Sequence, residues 1–453
     1  MSANDTIAAI ATPPGRGAVG IVRLSGADVP RIARAILENL PPPRRACHAS
    51  FLDARGETID EGIALYFPTP ASFTGEHVLE LQGHGGVLVM DLVLKRALEL
   101  GCRMARPGEF SERAYLNGKM DIAQAEAVAD LIDAGTQAAA RAAVRSMQGE
   151  FSARIAELGA LLTELRTHVE AAIDFPDEEI DFLAAPAVVK RLERVTATFD
   201  SIETAAAQGA LLRDGLTVVI AGKPNAGKSS LLNRLAGEDV AIVTPAPGTT
   251  RDVLRRQVSL DGLPVNLVDT AGLRRALDEA EEEGIRRARA EMQRADRILY
   301  IIDASAADPA GVSEGHGDWA TAEGLPSAVP LTLVMNKIDL TALPAQALEG
   351  APPRILLSAR TGAGLDLLRA HLKSSAGYDA DAGALAARRR HLDALARARG
   401  LVEDAALALA RRRPFELFAE DLRLAQRALG EITGEVTSED LLGAIFGSFC
   451  IGK

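Results

Sequence analysis

A chain of 453 residues is long enough for roughly two to four domains. It is 47% hydrophobic and 25% charged, an ordinary globular balance, and with aromatics at only 4% its cores must be aliphatic. A net charge of −12 excludes the overall basic footprint of a generic nucleic-acid binder, so any RNA contact needs a local basic patch. Cys47, Cys102 and Cys450 are few, odd in number and far apart, which argues for a reducing compartment and against a disulfide framework. The N-terminus lacks the basic and apolar regions of a leader, and no run of about 18 apolar residues occurs. The expectation is a soluble, cytoplasmic protein with no membrane association. The seven histidines show no metal-ligand spacing.

In chain order, residues 1–118 mix strands and helices and predict an α+β domain. Thr6–Ala11 and Gly17–Leu24 read as strands around the turn Pro13-Pro14-Gly15. Val29–Leu40 has helical periodicity, with Asp28 as N-cap and Pro30 in the first turn, where its missing N–H costs little. Ile63–Phe67 and His77–Gln82 alternate like strands, Gly83–Gly86 reads as a turn, and Val87–Leu100 is an amphipathic helix stopped by Gly101. Arg23, Glu80, His84 and Lys119 are polar candidates on these strands and loops; taken alone, each is more simply a solvated surface group. Residues 119–213 change texture: apolar residues recur every three to four positions, and Ala, Leu, Glu and Arg dominate, predicting long helices broken near Phe175-Pro176. The same texture returns over 377–453. The domain at 214–376 is therefore expected to be inserted into a helical domain formed by both flanks. The runs Arg388-Arg389-Arg390 and Arg411-Arg412-Arg413 could touch RNA phosphates, but a solvated helix face explains them more simply.

Inside 214–376, Leu216–Ala221 reads as a buried strand, followed by Gly222-Lys223-Pro224-Asn225-Ala226-Gly227-Lys228-Ser229 and then a helix from Ser230. Strand, glycine loop and helix together cradle phosphates: Gly222 and Gly227 let successive N–H groups face the anion, and the helix adds its positive end. Lys228 is expected on the β- and γ-phosphates and Ser229 on Mg²⁺. Asp261-Gly262 between two short strands is a hairpin signal. Strands are expected at Arg297–Ile302, Leu331–Met335 and Arg354–Leu357, alternating with helices in a mostly parallel sheet whose ligand loops lie at the carboxyl ends. Further motifs fall at those ends. Asp269-Thr270-Ala271-Gly272 can hold Mg²⁺ through water and meet the γ-phosphate. Pro247-Gly248-Thr249-Thr250 can complete the Mg²⁺ shell. In Asn336-Lys337-Ile338-Asp339, a carboxylate can accept both hydrogens of the guanine edge, which adenine does not offer. The Ala359 N–H of Ser358-Ala359 can meet the guanine carbonyl. Together these predict a GTPase. Leu273 stands where Ras-like enzymes carry the water-positioning glutamine. Something else must orient the water; Asn225, as a monovalent-cation ligand, and Glu281 are the candidates.

The chain resembles the MnmE (TrmE) family of tRNA-modifying GTPases over essentially its full length. The resemblance rests on Thr6–Ala11 with Arg23-Leu24-Ser25-Gly26, Ser72-Phe73-Thr74-Gly75-Glu76, Gly83-His84-Gly85-Gly86, Arg106-Pro107-Gly108-Glu109-Phe110, Leu116-Asn117-Gly118-Lys119, Gln124-Ala125-Glu126-Ala127, the GTPase motifs and Cys450-Ile451-Gly452-Lys453. Lys223, where an arginine is common, is expected to be neutral. The resemblance implies an N-terminal folate-binding and dimerising domain, a helical domain and an inserted GTPase domain. It implies a homodimer that joins a flavin-containing partner, MnmG, in a heterotetramer, and places a folate-derived aminomethyl-type group on carbon 5 of the tRNA wobble uridine. It carries folate contacts onto Arg23, Glu80, Lys119 and Lys453, with 5-formyl- or 5,10-methylene-tetrahydrofolate as the ligand. It carries K⁺ onto Asn225, Thr244, Ala246 and Thr249, Mg²⁺ onto Ser229 and Thr250, and water orientation onto Glu281. Its nucleotide contacts fall on Asn225, Ala226, Gly227, Lys228, Ser229, Ser230, Thr244, Pro245, Ala246, Pro247, Gly248, Thr249, Thr250, Asp269, Thr270, Ala271, Gly272, Asn336, Lys337, Asp339, Ser358 and Ala359. Lys228, Glu281 and Cys450 are the candidate catalytic residues. Phe446 and Phe449 can anchor the last segment beside the folate site, where a Cys450 thiolate could serve one-carbon transfer; packing as a small hydrophobe is its plainer role. The rival expectation is a ribosome-assembling GTP switch, which would carry an RNA-binding module with a basic face. A prenylation reading of Cys450 fits poorly, because Gly452 and Lys453 do not complete the box.

Overall fold

The computed structural model of the chain describes residues 5–174, 186–238, 255–269, 290–306, 325–411, 414–436, 439–450 and 452. Packing divides the chain into two compact units, Met1–Ala129 with Arg423–Lys453, and Asp130–Leu422.

The first unit is built on strands β1 (Ile7–Ile10), β2 (Val19–Ser25), β3 (Cys47–Leu52), β4 (Thr58–Phe67), β5 (Val78–His84) and β6 (Arg103–Met104), with helices α1 (Val29–Leu37), α2 (Val87–Glu99) and α3 (Glu109–Leu116). The sheet order is β3-β4-β5-β2-β1-β6. Every pairing is antiparallel except β1 with β6. Side chains alternate across each strand. Val22 and Leu24 of β2 and Leu79 and Leu81 of β5 are therefore buried with Ile32, Ile36 and Val93 of α1 and α2. The residues between them, Arg23 and Glu80, point to the opposite face and stand directly across from each other in the β2–β5 register. On that face Phe110 of α3 is buried with Ile7, Ala9 and Ala105.

The second unit takes the end of α4 (Ile122–Ile132), then α5 (Gln137–Met147), α6 (Glu150–Asp174) and α7 (Pro186–Asp214). Thr136 caps α5, its hydroxyl accepting from the Ala139 N–H at 3.2 Å. Next come β7 (Leu216–Gly222), α8 (Lys228–Glu238), β8 (Arg255–Leu260), β9 (Leu263–Asp269), β10 (Arg297–Asp303), β11 (Leu331–Asn336), β12 (Gln346–Leu348), β13 (Arg354–Leu356) and α9 (Leu365–Ser375). They form a seven-stranded sheet ordered β12-β13-β11-β10-β7-β9-β8, parallel apart from its two edge strands. Helices α10 (Arg389–Ala410) and α11 (Phe415–Thr433) follow. Arg399 of α10 reaches Asp200 at 2.7 Å and Glu203 at 2.6 Å on α7. Gly209 of α7 lies so close to the Leu385 carbonyl that no Cβ fits there.

Segment α12 (Glu439–Gly447) returns to the first unit, where Ile445, Phe446 and Phe449 are buried against Ile122, Ala125 and Ala129 of α4.

Most expected elements lie within a few residues of their places, and the differences have local causes. Asp28 stands at the N-cap of α1, but its side chain makes no capping bond; its N–H instead donates to Thr6 Oγ1 at 3.1 Å. The expected turn at Gly83 is strand through His84, because Gly83 pairs with Gly20 and has no room for a Cβ beside the Asp60 carboxylate. Strands β3, β6 and β12 were not expected: each is a sheet edge or a two- to three-residue piece whose extended state is set by its partner. The break expected near Phe175-Pro176 lies outside the described residues, just past the end of α6.

Candidate functional site

At the carboxyl end of the seven-stranded sheet, the strand ends come together in register: Gly222 beside Ile301, Asp269 beside Ile220, and Asp303 beside Asn336. The loop after β7 has the conformation its sequence calls for. Gly222 and Gly227 have φ of 140° and 99°, and Asn225 is left-handed at 62°. A Cβ at Gly222 would strike the Ile301 carbonyl, and one at Gly227 the Asn336 amide; only glycine lets the loop close this tightly. The Lys228 ammonium donates to the Gly222 and Lys223 carbonyls at 2.8 and 2.7 Å, which holds a cation at the loop. Asn225, Ser229 and Ser230 are exposed, while Ala226 is buried.

Asn336 does more than the sequence suggests. Its amide nitrogen donates to the Ala226 carbonyl and its oxygen accepts from the Ala359 N–H, both at 2.9 Å, and the residue is buried. One side chain thus ties the phosphate-type loop to the loop after β13. Beside it, Lys337 is left-handed at φ 69° and pairs with Asp303 at 2.6 Å, which holds that carboxyl below its ordinary range. The Asp339 carboxylate accepts from Ser358 Oγ at 2.5 Å and from the Arg360 guanidinium at 2.8 Å. Its two oxygens are thereby oriented before any ligand arrives. The structure brings Asn225, Ala226, Gly227, Lys228, Ser229, Asn336, Lys337, Asp339, Ser358 and Ala359 to one end of one sheet, with Asp269 on the neighbouring strand end. Thr244, Pro245, Ala246, Pro247, Gly248, Thr249, Thr250, Thr270, Ala271, Gly272 and Glu281 lie outside the described residues.

The second cluster is on the first unit. Arg23 donates through Nε to Glu80 Oε1 at 2.9 Å and through Nη1 to the Gly452 carbonyl at 3.3 Å. Its guanidinium lies 5.7 Å from the centroid of the buried Phe110 ring and 5.8 Å from that of Phe73, which is 38% exposed. Gln82 Nε2 stands 3.4 Å from the other Glu80 oxygen. Lys119 is exposed and holds the Pro70 carbonyl at 3.0 Å, in the same loop as Phe73. Residues 439–450 close one side: the Gly108 N–H donates to the Cys450 carbonyl at 3.3 Å, and Cys450 is an exposed residue. Gly452 has φ 97°, and a Cβ there would press on the Ile10 carbonyl at 2.7 Å. Lys453 lies outside the described residues. Phe73 and Phe110 were not among the expected site residues; their place within Ser72-Phe73-Thr74-Gly75-Glu76 and Glu109-Phe110 was the available signal.

An ion-pair network braces this face from below. Arg113 spans Asp5, Glu76 and Glu109 at 2.7, 3.0 and 3.1 Å, and Arg103 joins Asp5 and Glu109 at 2.7 and 2.6 Å. Burial alone would raise the Glu109 carboxyl, but Arg103, the Arg106 N–H and Arg113 outweigh it and hold the group at about 2. No group of three or more His, Cys, Asp or Glu suited to a metal occurs among the described residues, and none of their helices is long and apolar enough to cross a membrane.

Two family models match the chain: "MnmE helical domain" over residues 122–450 and "GTP-binding protein TrmE N-terminus" over residues 6–119. The chain is 58% identical to the tRNA modification GTPase MnmE of Methylococcus capsulatus over 451 residues, which is 99% of each protein. Among solved structures, it overlaps a GTP-binding protein of Sulfolobus solfataricus in complex with GDP at 18% identity and a TM-score of 0.25, over 49% of this chain and 67% of that one. It overlaps the G domain of the T. maritima FeoB iron transporter at 24% identity and a TM-score of 0.25, over 36% and 98%. Superpositions this weak carry no part of the assignment, which stands on the sequence matches. On those matches, the chain belongs to the MnmE/TrmE family of tRNA modification GTPases.

Proposed function

We propose that this protein hydrolyses GTP and uses the cycle to drive modification of tRNA, working as a homodimer with a flavin-dependent MnmG partner to add a folate-derived aminomethyl-type group to carbon 5 of the wobble uridine. The observation that supports it best is the presence, on one chain 58% identical to a tRNA modification GTPase, of two separate preorganised clusters. One is the oriented Asp339 carboxylate with the Asn336 bridge; the other is the Arg23–Glu80 pair.

At the nucleotide end, the donor sets suit the groups required. Lys228 is the cation for the phosphates, and the loop amides from Asn225 to Ser230 surround them. Asp339 accepts the ring N–H and exocyclic amine of guanine, with the Ala359 N–H on its carbonyl. Ser229 and Thr250, with Asp269 through water, would hold Mg²⁺; Asn225, Thr244, Ala246 and Thr249 would hold K⁺. These ions supply positive charge against the negative charge that builds in phosphoryl transfer. Glu281 would orient the attacking water. On the first unit, Arg23, Glu80, Lys119 and Lys453 would hold the reduced folate that supplies the one-carbon unit, with Cys450 at its edge. We further infer that the seven-stranded module is an insertion into the helical domain; the contacts from Asp200, Glu203 and Gly209 on α7 to Arg399 and Leu385 beyond the sheet support this.

The test is to express the chain in a bacterial strain deleted for its own enzyme of this family and to analyse the wobble nucleoside by mass spectrometry. Restoration of the C5-modified uridine supports the reading. A chain that hydrolyses GTP but leaves the uridine unmodified would overturn the tRNA half of it.

A further inference from the structure

The β8–β9 hairpin of the second unit runs the length of its sheet. Strand β9 ends at Asp269, at the nucleotide end, and the Asp261-Gly262 turn lies at the opposite end, because β9 runs parallel to β7. At the turn, Lys373 of α9 pairs with Asp261 at 2.5 Å, and Tyr378 Oη stands 3.5 Å from the Asp261 carbonyl. A Cβ on Gly262 would lie 2.8 Å from that hydroxyl and 3.4 Å from Ala138 of α5. Between the two ends, Gln257 of β8 and Asn266 of β9 stand directly opposite each other in register, and both reach helices outside the sheet. Asn266 Nδ2 donates at 2.9 Å to the carbonyl of Asp214, the last residue of α7. Gln257 lies over Gly135, in the turn between α4 and α5, where a Cβ would come within 2.6 Å of its Oε1.

The helices beneath the hairpin form a braced seat. The Asp130 carboxylate, 8% exposed, accepts from Arg213 of α7 at 3.0 Å and from Arg388, just ahead of α10, at 2.9 Å. Gln208 of α7 donates to the Gly377 carbonyl at 2.6 Å and accepts from the Asp379 N–H at 3.0 Å, which fastens the segment leaving the sheet. The chain enters the sheet through one residue, Gly215, at φ 71°. So short a joint is no slack tether, and the contacts of the hairpin set how the sheet sits on the helices. A cavity of about 130 Å³ remains between hairpin and seat, lined by Asp130, Gly135, Gly209, Arg213 and Gln257 among others. Space with polar walls lets the hairpin shift without drawing apolar surface out of a close-packed core.

We propose that the β8–β9 hairpin is a conformational relay: the state of the nucleotide end shifts the hairpin, and Gln257 and Asn266 pass the shift to the α4–α5 turn and the end of α7. The relay rests on the nucleotide reading given above and goes beyond it, naming the element and the residues that carry the signal. It has two positions. In the one described, Gln257 lies over Gly135; in the other, the hairpin is displaced along the cavity and the α4–α5 turn is released. A nucleotide moves the balance only by its difference in affinity for the two. Gln257 acts through the turn it touches and meets no reacting atom.

The experiment follows amide hydrogen exchange of the full-length protein with GDP and with GDP–aluminium fluoride in K⁺, for the wild type, Gln257→Ala and Gly135→Ala. GTP turnover and unfolding midpoints are measured alongside. In the wild type, the exchange rates of residues 131–140 and of the loop 222–229 should both differ by about threefold or more between the two states. Gln257→Ala should keep the response of the loop, and turnover within about twofold, while the response of 131–140 is lost. Gly135→Ala, whose methyl group displaces the Gln257 amide, should hold 131–140 at one exchange rate in both states. A wild type in which the loop responds and 131–140 does not would overturn the relay and leave the nucleotide reading intact. Silence at both would overturn both. A response of 131–140 that survives in either folded variant would overturn the relay through Gln257. Should Gln257→Ala fail to fold, Gln257→Asn, one methylene shorter, is expected to show the same loss, and a retained response there would overturn the relay equally.

Discussion

Single side chains carry the chemistry proposed for both clusters. Asp339 is the clearest case, since both carboxylate oxygens are already oriented by Ser358 and Arg360. Asp339→Asn replaces one acceptor by a donor. It should weaken GTP and favour xanthosine triphosphate, whose edge carries a carbonyl in place of the amine; competition binding with both nucleotides reads this, and unchanged GTP affinity would remove the guanine assignment. Glu109 makes a stability prediction. Its folded pKa of about 2 lies below the ordinary 4.5. Its contribution is therefore complete above about pH 4.5 and is lost as the pH falls toward 2, amounting to about 3 kcal/mol at most. Glu109→Gln should lower the urea midpoint at pH 7, and the gap to the wild type should close on acidification through that window. A gap independent of pH would show that the carboxylate charge contributes nothing. Gly222, Asn225 and Gly227 of the loop after β7 were legible one by one because each is tied to local backbone geometry. The bridging role of Asn336 was not, since its two partners, Ala226 and Ala359, are distant in sequence.

Elements were legible where their own periodicity or turn chemistry sufficed. The long helices declared themselves by apolar spacing, and the hairpin by Asp261-Gly262, which the structure shows with φ of 51° and 96°. Strands β3, β6 and β12 were not, because pairing with a neighbour rather than internal pattern makes them strands. The docking of α12 shows a glycine used for close approach. Gly108 is left-handed at φ 67°, and a Cβ there would strike the Phe446 carbonyl and lie 3.0 Å from Phe449 Cβ. Gly108→Ala combines that clash with a left-handed backbone cost of about 1–2 kcal/mol. Residues 439–450 should then exchange their amide hydrogens about tenfold faster or more, with protection in α1 and α2 retained. Unchanged protection of the segment would show that the fit at Gly108 has slack.

At the scale of the whole molecule, the nucleotide end and the Arg23–Glu80 cluster lie in different compact units, and Cys450 belongs with the second cluster. Hydrolysis and modification should therefore be separable. Cys450→Ser, which keeps the shape but is a far weaker nucleophile, should abolish C5 modification of the wobble uridine while GTP turnover stays within about twofold of the wild type. Phe446 and Phe449 anchor the segment, yet Cys450 itself is exposed rather than packed with them. A Cys450→Ala variant that still modifies tRNA would remove the thiol from the chemistry.

The sequence alone determined the phosphate-type loop, the strand-end placing of Asn336-Lys337-Ile338-Asp339, the helical texture of the flanks and the resemblance to the family that the matches bear out. Each of these is local: glycine positions, strand-to-loop transitions and helical spacing are dictated by the backbone within a few residues. The tertiary structure decided what depends on contacts between separate elements, up to 429 residues apart. It brought the Gly452 carbonyl to Arg23 and gave Gly108 a partner in Cys450. It closed the Asp5–Arg103–Glu109–Arg113–Glu76 network and set Arg23 between two aromatic rings. Such contacts follow from how whole elements pack, and no pattern within either segment encodes its partner.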